Sequence, residues 1–354
     1  MAYQEKIQSL LDRQIGRGNV HNVIVGVQSE DGGVDFVGAA GIADPASGAP
    51  MNPDTPYSLA SITKMYTAAV VLRLHDQGLL DLDEAISKYL PASLIEGIHV
   101  YQGTDYSAQI KVYQLVSQTS GLADYFLDKP RGGRSVFEEL KAGHDMALDV
   151  ERVMDVVLGL EPKFAPGAGG GRKARYADTN YRLLGEIVEQ VTGESVASVF
   201  ARLIFEPLGL ADTRFYDAEA ACKPAAIYLG GEPVDLPLFF SSNTTDGGIV
   251  STAHDNLTFL RSFFEGRLFD PAWFTRMTAR WNAIFFPMQY GYGMMRVNFP
   301  RVFFPEYIGH SGSTGSFAYR CPERSLYLVG TVNQIADPSR PIRLMMRADN
   351  LLKA

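Results

Sequence analysis

Tyr57-Ser58-Leu59-Ala60-Ser61-Ile62-Thr63-Lys64-Met65 is the stretch around which the chain is organised. It leaves a turn marked by Pro53 and Pro56 and continues into a helix-forming segment, 66–74. Residues three apart lie on the same face of a helix, so the stretch predicts Ser61 at a helix start with Lys64 directly beneath its hydroxyl. A serine beside a lysine that is kept uncharged is a nucleophile beside a base. These two residues alone equally fit an N-cap serine followed by a solvated lysine.

A second candidate motif, Tyr176-Ala177-Asp178, follows the glycine-rich segment 166–173 and precedes a helix that we expect to begin near Asn180. A tyrosine in a turn beside a helix start can project into a cleft and relay protons to and from a lysine. Alone, the motif also fits a packed aromatic residue followed by an N-capping aspartate. The glycine-rich segment lacks the spacing of a phosphate-binding loop, so we interpret it as a flexible connection.

The third candidate is Gly309-His310-Ser311-Gly312-Ser313-Thr314-Gly315, a run of small residues between apolar segments that we expect to be strands. Glycines in such a run allow a substrate to approach the backbone of a strand edge. His310 considered alone is typical of a structural histidine as much as of a catalytic one.

Together the three motifs resemble those of the serine β-lactamase and penicillin-binding protein superfamily, particularly its class C-like esterase and D-aminopeptidase branch. That branch carries S-x-x-K, then Y-x-N, then K-T-G or H-x-G, which here are Ser61 to Lys64, Tyr176 to Asp178 and His310 to Gly312. The resemblance covers about residues 5–350, and its further landmarks are 76–83, 119–122, Pro166-Gly167 and 247–253.

The resemblance implies a mechanism. Ser61 attacks an ester or amide carbonyl, Lys64 and Tyr176 act as general base and acid, and an acyl-enzyme forms. Backbone N–H groups of Ser61 and Ser313 hold the oxyanion. Asp178, His310 and Gly312 are the implied substrate-binding residues. No metal or organic cofactor is needed.

The sequence departs from the family pattern at three positions. Asp178 replaces an asparagine, so a group that can donate to a substrate carbonyl becomes one that only accepts when ionised. His310 replaces the lysine of penicillin-active members, which removes a permanent cation facing a substrate carboxylate. Gln118 replaces a histidine, and we expect an effect on local packing only. The first two changes favour simple esters over β-lactams.

The order of predicted elements indicates an α+β, β-lactamase-like fold. Both chain ends are expected to build an antiparallel sheet flanked by helices: a helix over 3–16, a hairpin over 22–28 and 34–42, strands near 307–308, 315–321 and 325–333, and a helix over 340–352. Between them we predict helices 112–116, 136–140, 150–160, 181–191 and 252–266. The stretch 211–248 has little periodicity, so we expect either a site-covering loop or extra small strands there. This pattern predicts a discontinuous sheet domain, 1–75 and 208–354, a helical lobe, 76–207, and an active site in the cleft between them.

Composition limits the remaining possibilities. The 354 residues carry 40 acidic and 32 basic side chains, for a net charge of -8, which argues against nucleic acid or an anionic membrane as a partner. Two cysteines, Cys222 and Cys321, indicate neither a disulfide framework nor a metal site, and no two histidines have metal-ligand spacing. The N-terminal sequence has charges where a secretory signal needs an apolar core, so we expect a cytoplasmic protein of unspecified oligomeric state.

The sequence therefore predicts a serine hydrolase for small carboxylic esters, with acyl transfer possible. A D-stereospecific amidase or aminopeptidase and a β-lactamase are the enzymatic alternatives. From another class, an acylating sensor would keep the fold and react once without turnover.

Overall fold

The structure is a computed structural model that describes residues 2–352. Its helices are α1 Tyr3–Asp12, α2 Thr63–Asp76, α3 Ala92–Ile95, α4 Val112–Val116, α5 Val136–Lys141, α6 Val150–Leu158, α7 Ala168–Gly171, α8 Asp178–Thr192, α9 Val196–Phe200, α10 Glu206–Leu208, α11 Pro237–Ser242, α12 Ala253–Phe264, α13 Trp273–Thr278 and α14 Arg340–Leu351. Its strands are β1 Asn22–Ser29, β2 Asp35–Asp44, β3 Ala49–Pro50, β4 Tyr57–Ser58, β5 Val100–Tyr101, β6 Thr104–Asp105, β7 Arg214–Phe215, β8 Tyr228–Leu229, β9 Glu232–Pro233, β10 Ile249–Ser251, β11 Asn282–Phe285, β12 Met288–Tyr290, β13 Met295–Val297, β14 Tyr307–Ser311, β15 Ser316–Cys321 and β16 Leu326–Thr331.

The main sheet joins the two ends of the chain. Counted over residues 2–352 it has nine strands in the order β11-β12-β13-β14-β15-β16-β1-β2-β3, each pair antiparallel. Its centre pairs β1 with β16, Ile24 opposite Thr331. Side chains of consecutive strand residues point to opposite faces, and Val23, Ile24 and Val25 are all fully buried. The sheet is therefore covered on both faces, with α1 and α14 packed on each other and on the sheet and α12 packed on β1, β15 and β16.

The α+β fold class expected from the sequence is confirmed. The hairpin corresponds to β1 and β2, the C-terminal strands to β14, β15 and β16, and the closing helix to α14. In the middle of the chain α4 has the predicted bounds, and α5, α6, α8 and α12 lie within a few residues of theirs. The division into two domains at residues 75 and 208 stays a prediction.

Two local expectations need correction. Helix α1 ends at Asp12, not at Gly16, because Gln14 N–H turns back to the carbonyl of Leu11 at 2.8 Å and closes the helix early. The glycine-rich connection contains a short turn, α7, in which Gly169 and Gly170 have positive φ values that other residues rarely adopt. The stretch 211–248 holds the short strands β7, β8 and β9, which was one of its two expected forms, together with helix α11.

Helix α2 passes through the middle of the molecule. Every residue from Thr63 to Leu72 is buried, so the helix is enclosed on all sides. Ala60 and Ser61, just before its N-terminal end, line a small pocket. That end carries the serine and lysine of the first motif.

Candidate active site

Ser61 lies in a short 3-10 turn, Ala60–Ile62, between β4 and α2. The turn is held because β4 pairs with β10 and because Leu59 N–H donates to the carbonyl of Ile249 at 2.9 Å. Ala60 has a φ of +46°, a conformation that costs a non-glycine residue roughly 1–3 kcal/mol. The surrounding contacts thus hold a strained backbone directly before Ser61 and present its hydroxyl at the helix start.

Lys64 contacts Ser61 from below. Its Nζ lies 3.4 Å from Ser61 Oγ, donates to the backbone oxygen of Asp246 at 2.5 Å and forms an ion pair with Asp178 Oδ1 at 2.5 Å. The Lys64 side chain has no exposed surface, and that of Asp178 is 14% exposed. The first two motifs therefore meet at the amine of Lys64.

The premise that Lys64 is uncharged does not match these contacts. Burial lowers the pKa of Lys64, but attraction by the Asp178 carboxylate and other acidic groups raises that pKa more, so the net pKa lies above the ordinary lysine value. Burial also raises the pKa of Asp178, against the opposing effect of Lys64. The resting pair is an ammonium and a carboxylate in a water-poor site. Both groups hold a proton more tightly than an ordinary lysine and aspartate do.

Further charges surround this pair, and we call Lys64, Asp178, Asp246 and Arg182 the charged cluster. Asp246 Oδ2 accepts from Tyr125 Oη at 2.6 Å, and Asp246 Oδ1 lies 3.6 Å from Arg182. Both Asp246 and Arg182 are buried. The four side chains balance two cations against two carboxylates, which limits the cost of burying each.

Asp124 adjoins the charged cluster and was missed by the sequence interpretation. Its Oδ1 accepts from the backbone N–H of Asp178 at 3.0 Å. Burial, followed by repulsion from Asp178, raises the pKa of Asp124 to about 8. Asp124 is therefore mostly a neutral acid at pH 7. Nothing in its local sequence, Ala123-Asp124-Tyr125, resembles a motif, whereas Asp246 could have been suspected because it directly precedes the Gly247-Gly248 landmark.

Tyr176 lies over the lysine, with its ring centroid 5.1 Å from Lys64 Nζ. Across residues 2–352 its buried hydroxyl has no hydrogen-bond partner. Burial raises the pKa of Tyr176, and the nearby Lys64 ammonium only partly opposes this, so the side chain is a phenol at neutral pH. Ser61 and Lys64 nevertheless lie close enough to lower the pKa of this phenol, against the larger effect of burial. The hydroxyl is thus placed beside the two groups with which it could exchange a proton.

Gln118 holds the Tyr176 turn, which is a larger role than the packing effect expected from the sequence. Its Oε1 accepts from the backbone N–H of Ala177 at 2.9 Å and from Asn180 Nδ2 at 2.5 Å. Gln118 itself has a φ of +61° and is fully buried. The side chain thus fixes the residues on the C-terminal side of Tyr176.

His310 is enclosed by its neighbours, and its substrate-binding role stays a prediction. Its side chain is fully buried, with Nδ1 donating to the carbonyl of Ser311 at 2.8 Å and Nε2 3.4 Å from Tyr290 Oη. Burial, with a smaller effect of Lys64, lowers the pKa of His310 to about 3. His310 is therefore a neutral residue packed behind Tyr176, at 6.2 Å between ring centroids, and does not face the cleft.

Gly312 allows the end of β14 to lie close to the turn that carries Ser61. The space beside this glycine is filled by that turn, not left open for a substrate. A Cβ at this position would lie 2.6 Å from the carbonyl oxygen of Leu59. The same approach is secured by Ser316 Oγ, which donates to that oxygen at 2.7 Å. The close contact brings the next residue, Ser313, to the cleft beside Ser61.

Ser61 and Ser313 line one small pocket of about 40 Å³. The other residues that line it are Ser58, Ala60, Tyr125, Phe126, Asp178, Phe239, Phe240, Asn243, Asp246, Gly247 and Thr314. The lining includes Asp178 but not Lys64, Tyr176, His310 or Gly312. The substrate-binding roles of Asp178, His310 and Gly312 stay predictions. The part of the chain that the structure describes holds no group of three or more His, Cys, Asp or Glu residues arranged as a metal site.

The whole chain matches a known family. The Beta-lactamase family model aligns with residues 7–349. The chain belongs to the Beta-lactamase family. No helix between residues 2 and 352 of this β-lactamase-family protein is both long and apolar enough to cross a membrane.

Relatives of this family member differ in their named activities. Esterase EstB of Burkholderia gladioli is 31% identical over 215 residues, which are 59% of this chain and 50% of EstB. A D-stereospecific amidohydrolase from Streptomyces sp. has a TM-score of 0.76 at 25% identity, over 97% of this chain and 98% of that one. D-amino acid amidase from Ochrobactrum anthropi SV3 has a TM-score of 0.79 at 23% identity, over 99% of both chains, a likeness of fold alone. The chain spans about half the length of the curated relatives that it matches.

Proposed function

We propose that this protein hydrolyses carboxylic esters through an acyl-enzyme on Ser61. The observation that carries the proposal is the contact series from Ser61 Oγ to Lys64 Nζ at 3.4 Å and on to Asp178 Oδ1 at 2.5 Å. A serine linked to a buried, shared-proton pair is the arrangement that nucleophilic catalysis needs. The name of the relative EstB supports an ester as substrate.

In the first step Ser61 attacks the ester carbonyl and loses its proton. The lysine is an ammonium at rest, so it can accept that proton only after passing one of its own to Asp178. Binding of an ester excludes water from the pocket and thereby favours the neutral amine and carboxylic acid over the ion pair. Backbone N–H groups of Ser61 and Ser313 stabilise the oxyanion.

In the second step the alkoxide leaves and takes a proton from the Tyr176 phenol. Lys64 then gives a proton to the Tyr176 phenolate. Asp178 returns its proton to Lys64, which restores the ion pair. All protons are thus returned and one alcohol is released. Water, or an alcohol in an acyl transfer, attacks the acyl-enzyme by the same steps in reverse. The raised pKa of Tyr176 makes it a weak acid. An alkoxide needs less help from an acid than an amide nitrogen does, so this site is better suited to esters.

A D-stereospecific amidase is the second candidate, favoured by the amidohydrolase likeness over nearly the whole length of both chains. Burst kinetics would identify an acylating sensor, and hydrolysis of a chromogenic cephalosporin at a rate equal to that of the ester would identify a β-lactamase. The partner is a small ester or amide molecule, and the cytoplasmic location stays a prediction.

The deciding experiment joins labelling and kinetics. A fluorophosphonate should label the wild type at Ser61 and leave Ser61→Ala unlabelled and inactive toward p-nitrophenyl butyrate. Ser311→Ala is the matched control, because Ser311 contacts Tyr319 rather than the pocket, with 2.7 Å between the two hydroxyl oxygens. A label on another serine contradicts the proposal. A single stoichiometric burst without turnover identifies a sensor, and faster turnover of D-amino acid amides identifies an amidase.

A further inference from the structure

A second, larger cavity opens beside the Ser61 pocket. Its volume is about 460 Å³, against about 40 Å³ at Ser61 itself. The two spaces share Phe126, Phe239, Phe240, Ser313 and Thr314 in their walls. A substrate carbonyl bound at Ser61 therefore has room for the rest of its molecule where this neighbouring space begins.

The wall of the larger cavity is mainly apolar. The Phe126 and Phe239 rings stack at 5.7 Å between centroids, and the Phe126 and Phe137 rings lie 5.4 Å apart. Leu140, Leu236 and Ile335 add aliphatic surface, while the charged residues that line the cavity are exposed. We call this space the apolar cavity. Such a surface gains free energy by burying hydrocarbon and offers little to a charged group.

The wall is preformed rather than loose. Helix α11, which carries Phe239 and Phe240, begins with its Leu238 and Phe239 N–H groups donating to the two carboxylate oxygens of Asp145 at 2.8 and 2.9 Å. Its last residue, Ser242, accepts from Leu148 N–H through Oγ at 2.8 Å. A cavity held in this way loses little entropy when a ligand enters it.

The position of the apolar cavity distinguishes the two halves of an ester. The leaving alcohol must lie against its proton donor, and the proposed donors are Tyr176 and Lys64. In the described part of the chain neither residue lines either space, but Asp178, whose Oδ1 lies 2.5 Å from Lys64 Nζ, lines the Ser61 pocket and not the apolar cavity. The proton donors therefore lie on the side of the pocket away from the apolar cavity. The cavity reaches Ser61 past Ser313 and Thr314 instead, so the group that enters it is the one that stays on the enzyme.

We propose that the apolar cavity binds the acyl chain, and that the substrates are esters of medium-length, uncharged, apolar carboxylic acids. This inference rests on the proposed function, because it needs an ester carbonyl at Ser61. It extends the expectation of simple esters by naming the half of the substrate that the protein recognises.

Cavity-filling variants test the proposal. The wild type should hydrolyse p-nitrophenyl hexanoate with a kcat/KM on the order of tenfold or more above that for the acetate, because four more methylenes are buried. Leu236→Trp, and independently Val234→Trp, should bring this ratio close to one, since both side chains line the cavity. Leu238→Trp is the control, because Leu238 is 54% exposed and does not line it, and the wild-type ratio should persist.

Two results overturn the proposal. One is a wild-type hexanoate-to-acetate ratio near one. The other is that Leu236→Trp and Val234→Trp lower kcat/KM for hexyl acetate but not for p-nitrophenyl hexanoate. That result would place the alcohol in the cavity.

A binding measurement separates this proposal from the proposed function. Ser61→Ala should bind heptan-2-one, an unreactive ketone with an apolar chain, by calorimetry, and the added Leu236→Trp change should weaken that binding on the order of tenfold or more. Binding that the added change does not alter overturns the role of the cavity. If Leu236→Trp weakens ketone binding as expected but the wild type hydrolyses no ester, the binding role of the cavity stands and the proposed function is wrong.

Discussion

The charged cluster and the apolar cavity meet at Ser61, yet they solve opposite physical problems. The cluster buries four charged side chains whose contacts include 2.5 Å from Lys64 to Asp178 and 3.6 Å from Arg182 to Asp246. The cavity offers aromatic and aliphatic surface, with its charged residues exposed. In the function that we propose, proton movement depends on paired, desolvated charges, and substrate recognition depends on hydrocarbon contact. The difference teaches that chemistry and chain-length preference should respond to different substitutions.

The largest expected effect is discrimination against charged substrates, which tests the contrast between the two regions. We expect esters of uncharged acids to exceed cephalosporins in kcat/KM by at least ~10³, about 4 kcal/mol in transition-state binding. A cephalosporin carboxylate meets the Asp178 and Asp246 carboxylates in the pocket lining, and the Lys64 cation is already paired. Steady-state rates for p-nitrophenyl butyrate and a chromogenic cephalosporin measure the ratio. Equal rates would show that the cluster does not repel anions.

The next effect concerns the charged side of the comparison. Lys64→Ala or Tyr176→Phe should each lower kcat on the order of 10²-fold or more, because each removes one carrier of the same proton. The double variant should lose little beyond the worse single variant. Tyr319→Phe is the control, since that hydroxyl contacts Ser311 at 2.7 Å and neither Lys64 nor Ser61. If the double variant instead loses kcat by the product of the two single losses, the two residues do not share one proton relay.

The smallest effect is a change in pH dependence. Asp178→Asn should cost roughly tenfold in kcat at pH 7, because the amide cannot accept the lysine proton. Burial raises the pKa of Asp178 above that of an ordinary aspartate. Wild-type activity should therefore fall as the pH is lowered through this raised pKa, because the carboxylate becomes protonated.

In the Asn variant the rise of activity with pH that is due to ionisation of Asp178 should disappear. Removing the carboxylate also removes the main attraction that raises the pKa of Lys64. The variant's activity should therefore rise over a different pH range, in which the buried lysine loses its proton. Asp255→Asn is the control, since Asp255 is bound by Thr213 at 2.8 Å rather than by Lys64. An unchanged pH profile in Asp178→Asn would contradict the proton-accepting role.

The sequence predicted best what depends on neighbouring residues. Ser61 and Lys64 are three positions apart at a helix start, so helical geometry alone anticipated their contact, which the structure has at 3.4 Å. The α4 bounds followed from local apolar spacing in the same way. The catalytic roles of these residues stay a prediction.

What the sequence could not predict depends on distant partners. The direction of the His310 side chain depends on the register of β14 against β15, in which His310 lies opposite Ala318, and a shift of one residue would reverse it. The ion pair of Lys64 with Asp178 joins two separate helices, and no local pattern encodes it. The walls of the apolar cavity come from segments near 126–143, 229–240 and 313–335, so their shared surface exists only after folding.

The pairing of β1 with β16 has a consequence for synthesis of the protein. Ser61 leaves the ribosome long before Ser313 and Thr331, and at about 5–20 residues per second the delay is on the order of tens of seconds. Until β14, β15 and β16 emerge, the Ser313 backbone that we propose as an oxyanion donor is missing, and β1 has no partner on one edge. The nascent chain therefore exposes an unpaired apolar strand but no working site, so its hazard during translation is aggregation rather than premature acylation.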